Sequence, residues 1–169
     1  MTTQTLKEIL SNIRSEIIES AQKVNADFIE LSYEESARKR IQLMTKFSGS
    51  DRWTFPWEHL IHTDIATYRD MDGKAYLLIS DFIQHDKTLM LFNEDDERAG
   101  FEFRDGAYIV PILDECLSFE FYLTNDKFDY FICFNHHDYL ITAGTAADWL
   151  KSLLDEDREL RKPIEEIIS

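Results

Sequence analysis

Four of the chain's five histidines fall in two tight groups. His59 and His62 stand three residues apart, a spacing that shares one helical face. His136, His137 and Asp138 follow Asn135 in the run FNHHDY. Imidazole nitrogens with a carboxylate are the donor set for zinc or iron. A transition-metal site would therefore need His59, His62, His136, His137 and Asp138 to converge, and no other cofactor is expected. None of the strong metal spacings such as H-E-x-x-H is present. The competing reading is structural: Asn135 or His136 bonds the turn backbone, and Asp138 caps the loop. The structural reading is preferred.

Two other arrangements bear on chemistry. Cys116 and Cys133 would each need a histidine and an acid to act as nucleophiles. Cys133 lies between Ile132 and Phe134, a packed setting that disfavours thiolate, and Cys116 follows Asp114 and Glu115, whose charges do the same. Both read as small hydrophobes, so no catalytic residue is assigned. Glu115 and Glu120 would suit a general acid and base, but five residues across a helix–strand junction fix no separation. The run Asn93 to Glu97 lacks the spacing and glycine of a calcium loop. No glycine-rich phosphate loop occurs.

The elements that must position these groups are legible in part. Leu6, Ile9, Leu10, Ile13, Ile17, Ala21 and Val24 recur at helical spacing and predict a helix over about 4–24. Ser32 with Glu35 fits a capping box opening a second helix over about 33–47, with Ala37, Ile41, Met44 and Phe47 as its buried side. Arg38, Lys39 and Arg40 then read as a solvated basic face. Pro56 starts a short helix carrying Trp57, Glu58, His59 and Leu60. Strands are expected within 75–143: the apolar run Ala75 to Ile79, Thr88 to Phe92, the alternating Phe101 to Phe103, and a meander of Phe119 to Leu123, Tyr130 to Phe134 and Tyr139 to Ala143. Val110 is expected extended before Pro111, with a helix after it. A helix over about 145–154 and a charged tail over 155–169 end the chain. The pattern predicts a single α+β domain: a largely antiparallel central sheet, the N-terminal helices packed on one face, and a C-terminal helix. Residues 128–134 carry aromatics on both faces, so the sheet is either covered twice or offers an aromatic surface.

At 169 residues, 44% of them hydrophobic, the chain is long enough for a real core. The charge is −15, from 33 acidic against 18 basic side chains. That excludes a general nucleic-acid binder, whose phosphate contacts need clustered Lys and Arg. No leader pattern and no long apolar run is read, so a cytoplasmic location with reduced thiols and no membrane partner is expected.

Two segments carry a family resemblance. Trp53 to Leu60 reads W-T-F-P-W-E-H-L. Glu115-Cys116, Phe119-Glu120-Phe121-Tyr122 and Phe134-Asn135-His136-His137-Asp138 follow before Gly144. The region 52–144 resembles a small bacterial domain of unknown function with a WEHL segment and an E-C-x-x-F-E-Y-Y … E-N-H-H-D pattern. The chain departs from it at Phe134, where an acidic residue is usual, and at Phe131, where Trp is expected. By analogy the resemblance implies an immunity or accessory protein. The candidate binding surface joins Trp57, Glu58 and His59 to Glu120, Asn135, His136, His137 and Asp138, if the WEHL segment folds against that turn. The expected function is a non-catalytic acidic protein binding a basic protein partner such as a toxin. The competing classes are a metal-dependent enzyme using the His/Asp cluster and a structural homo-oligomer.

Overall fold

The meander expected in the centre of the chain forms the middle of the molecule. Its strands are β5 (Phe121–Thr124), β6 (Tyr130–Phe134) and β7 (Tyr139–Gly144). The computed structural model describes residues 13–52, 54–61 and 64–168. Within it, β1 (Phe28–Leu31), β2 (Ile65–Arg69), β3 (Thr88–Leu91) and β4 (Gly100–Phe103) complete one seven-stranded sheet. The strand order is β1-β4-β3-β5-β6-β7-β2, with every pair antiparallel. The α+β class therefore stands.

Alternation along β6 explains how the sheet is covered. Tyr130, Ile132 and Phe134 enter one core, Phe131 and Cys133 the other, and all five are buried. The sheet is thus covered twice. On the first face lie α1 (Ile13–Lys23) through Ile17 and Ala21, α3 (Ile79–Ile83), α4 (Ile109–Asp114) and the start of α5 (Thr145–Ile168) through Ala146 and Leu150. On the second lies α2 (Tyr33–Ser48), whose Leu43 and Phe47 pack on Leu91, Tyr122, Phe131 and Cys133. The two N-terminal helices are divided between the faces rather than sharing one. Each fully buried Phe or Leu contributes on the order of 1.5–3 kcal/mol, so neither layer is dispensable.

The local signals for α2 behave as read. The Ser32 hydroxyl accepts from the Glu35 amide at 3.1 Å, and Gly49 ends the helix in the left-handed region at φ 71°. Its buried side differs from the expected one. Ser36, Arg40, Leu43, Met44, Phe47 and Ser48 are buried, while Ile41 is 47% exposed.

Other expectations fail for physical reasons. Ala75 to Ile79 is helical, a 3-10 turn (Ala75–Leu78) running into α3. Ala75, Ile79 and Ile83 are its buried positions, a spacing of four that an apolar run conceals. Ile65–Arg69 is the edge strand β2; Ala66 alone is buried in it, so its apolar signal is weak. Val110 is helical, because Pro111 sits in the first turn of α4, where a missing N–H costs little. The backbone of α5 continues to Ile168, beyond the expected end near 154. The part of the first helix expected over 4–12 lies outside the described residues.

Candidate functional site

The three sequence segments singled out above meet at one buried carboxylate. Glu120 is 5% exposed and lies just before β5. Its Oε1 accepts from the Trp57 indole N–H at 3.1 Å, lies 3.1 Å from His136 Nδ1, and is 3.4 Å from the His136 amide. Its Oε2 accepts from the Tyr122 hydroxyl at 2.9 Å. Burying a carboxylate is costly unless its lone pairs are met, and here both oxygens are engaged.

Each partner is delivered by a different local device. Tyr122 stands two residues along the strand and so points to the same face as Glu120. Trp57 comes from a strap across the second face, the 3-10 turn Pro56–Glu58, with Pro56 at its first position. The strap is pinned repeatedly: Ser48 Oγ donates to the Pro56 carbonyl at 3.0 Å, Asn93 Nδ2 to the Thr54 carbonyl at 2.8 Å, and the Ile61 amide to the Phe47 carbonyl at 2.9 Å. His136 comes from the β6–β7 turn. Asn135, 3% exposed, organises that turn: its Oδ1 accepts from the His137 and Tyr139 amides at 3.0 Å each. Asp138 adopts φ 63° there rather than capping the loop with its carboxylate.

Aromatic contacts close the site. His136 packs against Phe55 at 5.3 Å between ring centroids, against Trp57 at 5.9 Å and against His137 at 4.0 Å. The His136 side chain is 46% exposed. With Nδ1 turned to the carboxylate, the opposite edge of the ring is left to solvent or a partner. Asp96 lies near enough to feel the cluster. Burial first, then the charges of Glu120 and Asp95, raise its carboxyl above the usual range. Burial likewise raises the Tyr122 hydroxyl.

The sequence-derived candidates thus separate. Trp57, Glu120, Asn135, His136 and His137 come together. Glu58 and His59 are exposed at the end of the strap, and Asp138 sits on the far side of the turn, its carboxylate over Gly73. Among the described residues, no three His, Cys, Asp or Glu side chains are placed to hold a metal ion, and His62 lies outside those residues. Burial holds the Cys133 thiol well above its ordinary value and the Cys116 thiol at about 11, so neither is a ready nucleophile. The sequence reading missed Tyr122 and Phe55 as members of the cluster. The position of Tyr122, two residues from Glu120, was the available signal for the first.

Two concavities flank the latch. One, about 410 Å³, is walled by Trp57, Leu60, Ile65, His137, Tyr139 and Ile141, with Glu58 at its edge. The other, about 290 Å³, lies between α2, the strap and the turn after β3, and includes Arg40 and Tyr122. Arg40 is 5% exposed, which corrects the expected solvated basic face.

Fold and site together define an α+β protein with a doubly covered antiparallel sheet and a carboxylate latch between strap, strand and turn. Residues 9–153 match a family of unknown function (DUF6756), and the chain belongs to it. No curated protein and no solved structure matches it. Among the described residues, no helix is long and apolar enough to cross a membrane.

Proposed function

We propose that the protein is a non-catalytic acidic binding protein of the immunity type, which holds a basic protein partner such as a toxin. The observation that carries this reading is the groove beside the latch. Trp57, Leu60, Ile65 and Tyr139 offer apolar and aromatic surface there, with Tyr139 itself 39% exposed. Glu58 stands at its edge, and the chain as a whole carries −15. Aromatic anchors in a concave patch supply binding energy, and an excess of one charge speeds encounter with a partner of the other. The Glu120 latch serves this role by holding Trp57 and the turn of His137 in one fixed relation, so the groove is formed before a partner arrives.

The test is affinity capture with the purified chain and the product of an adjacent reading frame, at low and high salt. A basic partner should bind stoichiometrically, more weakly as salt rises. Y139A should weaken binding about 30-fold, the cost of a central aromatic anchor near 2 kcal/mol. E58K should slow association without lowering the melting temperature. Capture unchanged by both substitutions, or no basic partner at all, overturns the reading.

A further inference from the structure

Arg40 is a buried cation facing a cavity, and among the described residues no carboxylate lies within ion-pair distance of it. Its Nε donates to the Phe92 carbonyl at 2.8 Å and its Nη2 to the Arg98 carbonyl at 3.4 Å. Carbonyl oxygens orient a guanidinium but do not neutralise it. No hydrogen bond from Nη1 is formed among the described residues, and Arg40 lines the cavity. Burial, with the like charge of Arg98 beside it, outweighs the support that Glu94 and Glu97 give the charge from a distance. A guanidinium stays charged even so. The fold therefore keeps a desolvated positive charge at the base of a pocket in an otherwise strongly acidic protein. A buried charge of this kind is stable when an anion completes it.

The cavity says what sort of anion. At about 290 Å³ it is at the small end of ligand sites. One wall is apolar, from Ala37, Ile41 and Met44 on α2. The rim carries Asp51, Glu94 and Asp95 with Arg52. Three carboxylates there repel a phosphate dianion but favour a ligand that brings its own ammonium group. A planar carboxylate matches the Nη1/Nη2 edge of arginine.

We propose that this cavity binds a free α-amino acid with an apolar side chain. The carboxylate takes the open edge of Arg40, the side chain lies against Ala37, Ile41 and Met44, and the ammonium faces Glu94 and Asp95. The site is separate from the partner groove, and either can fail without the other.

The test uses the full-length chain, with calorimetric titration and thermal melting. The probes are leucine, leucinamide, N-acetylleucine and inorganic phosphate. Leucine should bind one-to-one and raise the melting temperature saturably. Leucinamide should bind at least tenfold more weakly because it lacks the carboxylate, and N-acetylleucine several-fold more weakly because it lacks the ammonium. A37F, which fills the cavity and leaves Arg40 in place, should abolish leucine binding while the chain stays folded. R40Q should do the same where it folds. No binding of leucine at millimolar concentration, equal binding of leucinamide, tighter binding of phosphate, or leucine binding that survives A37F would each overturn the proposal.

Discussion

Replacing Glu120 tests whether one carboxylate holds strap, strand and turn together. In E120A three side-chain partners lose their acceptor at once. The Tyr122 hydroxyl is the expensive one, because Tyr122 is 1% exposed and so has little water to replace the lost acceptor. A buried donor left unpaired costs about 1–3 kcal/mol. Trp57 is half-buried and the His136 side chain 46% exposed, so water replaces much of what they lose, at about 0.5–1 kcal/mol each. Removing a buried charge offsets part of the sum. The expected loss is about 2–4 kcal/mol for E120A and about 1–2 kcal/mol for E120Q, which keeps the shape and one acceptor. Urea unfolding followed by tryptophan fluorescence and circular dichroism measures both, with an unchanged denaturant slope as the check on two-state behaviour. The sharper assay is the cycle with Y122F. That substitution removes the stranded hydroxyl, so E120A/Y122F should be about 1–2 kcal/mol more stable than the sum of the single losses. Strict additivity, or a loss under about 1 kcal/mol for E120A, would refute the latch.

Further outcomes follow from the same geometry. H136A should cost only about 1 kcal/mol, since Glu120 keeps Trp57, Tyr122 and the position-136 amide, and equilibrium unfolding gives the value. D96N should stabilise the protein slightly at neutral pH. The folded-state carboxyl is raised, so its ionisation opposes folding above that value and the penalty fades as pH falls. Comparing wild type with D96N across pH should therefore show the gap closing in acid. Thiol labelling of the native protein should be slow at pH 8 and accelerate about tenfold per pH unit toward the Cys116 value of about 11, while Cys133, fully buried, labels only on unfolding. G144A should lose about 2–4 kcal/mol in the same urea assay, because Gly144 has φ 69° and an added Cβ would stand 2.4 Å from the Asp129 carbonyl oxygen.

What the sequence made legible was local. The Ser32 cap, the α2 boundaries and the three-strand meander follow from chemistry within a few residues. Aromatics on both faces of β6 left double cover or an aromatic surface open, and packing on both faces decides for the first. What escaped depended on partners far along the chain. Arg40 reads as solvated beside Arg38 and Lys39, yet it lies three, four and seven residues before Leu43, Met44 and Phe47, which places it on the buried stripe. The period was visible; the charge argued against it, because the Phe92 and Arg98 carbonyls that receive the guanidinium stand 52 and 58 residues away.

Glu120 makes the same point for the site. In sequence it can be set beside Glu115 as an acid and base, though five residues fix no separation, or beside Trp57 and His136 on a binding surface if the WEHL segment folds against the turn. Glu115 instead lies at the end of α4 and pairs with Lys23 at 3.3 Å. Apart from Tyr122, two residues on, the side-chain partners of Glu120 stand 63 and 16 residues away, in the WEHL segment and in the histidine turn. The histidines therefore cluster around an acid that uses its lone pairs for positioning. His136 takes its orientation from that acid, and His137 follows as a wall of the groove. A histidine-rich turn whose residues could be read as metal ligands or as structural is, with Glu120 beneath it, one side of the latch that fixes the strap.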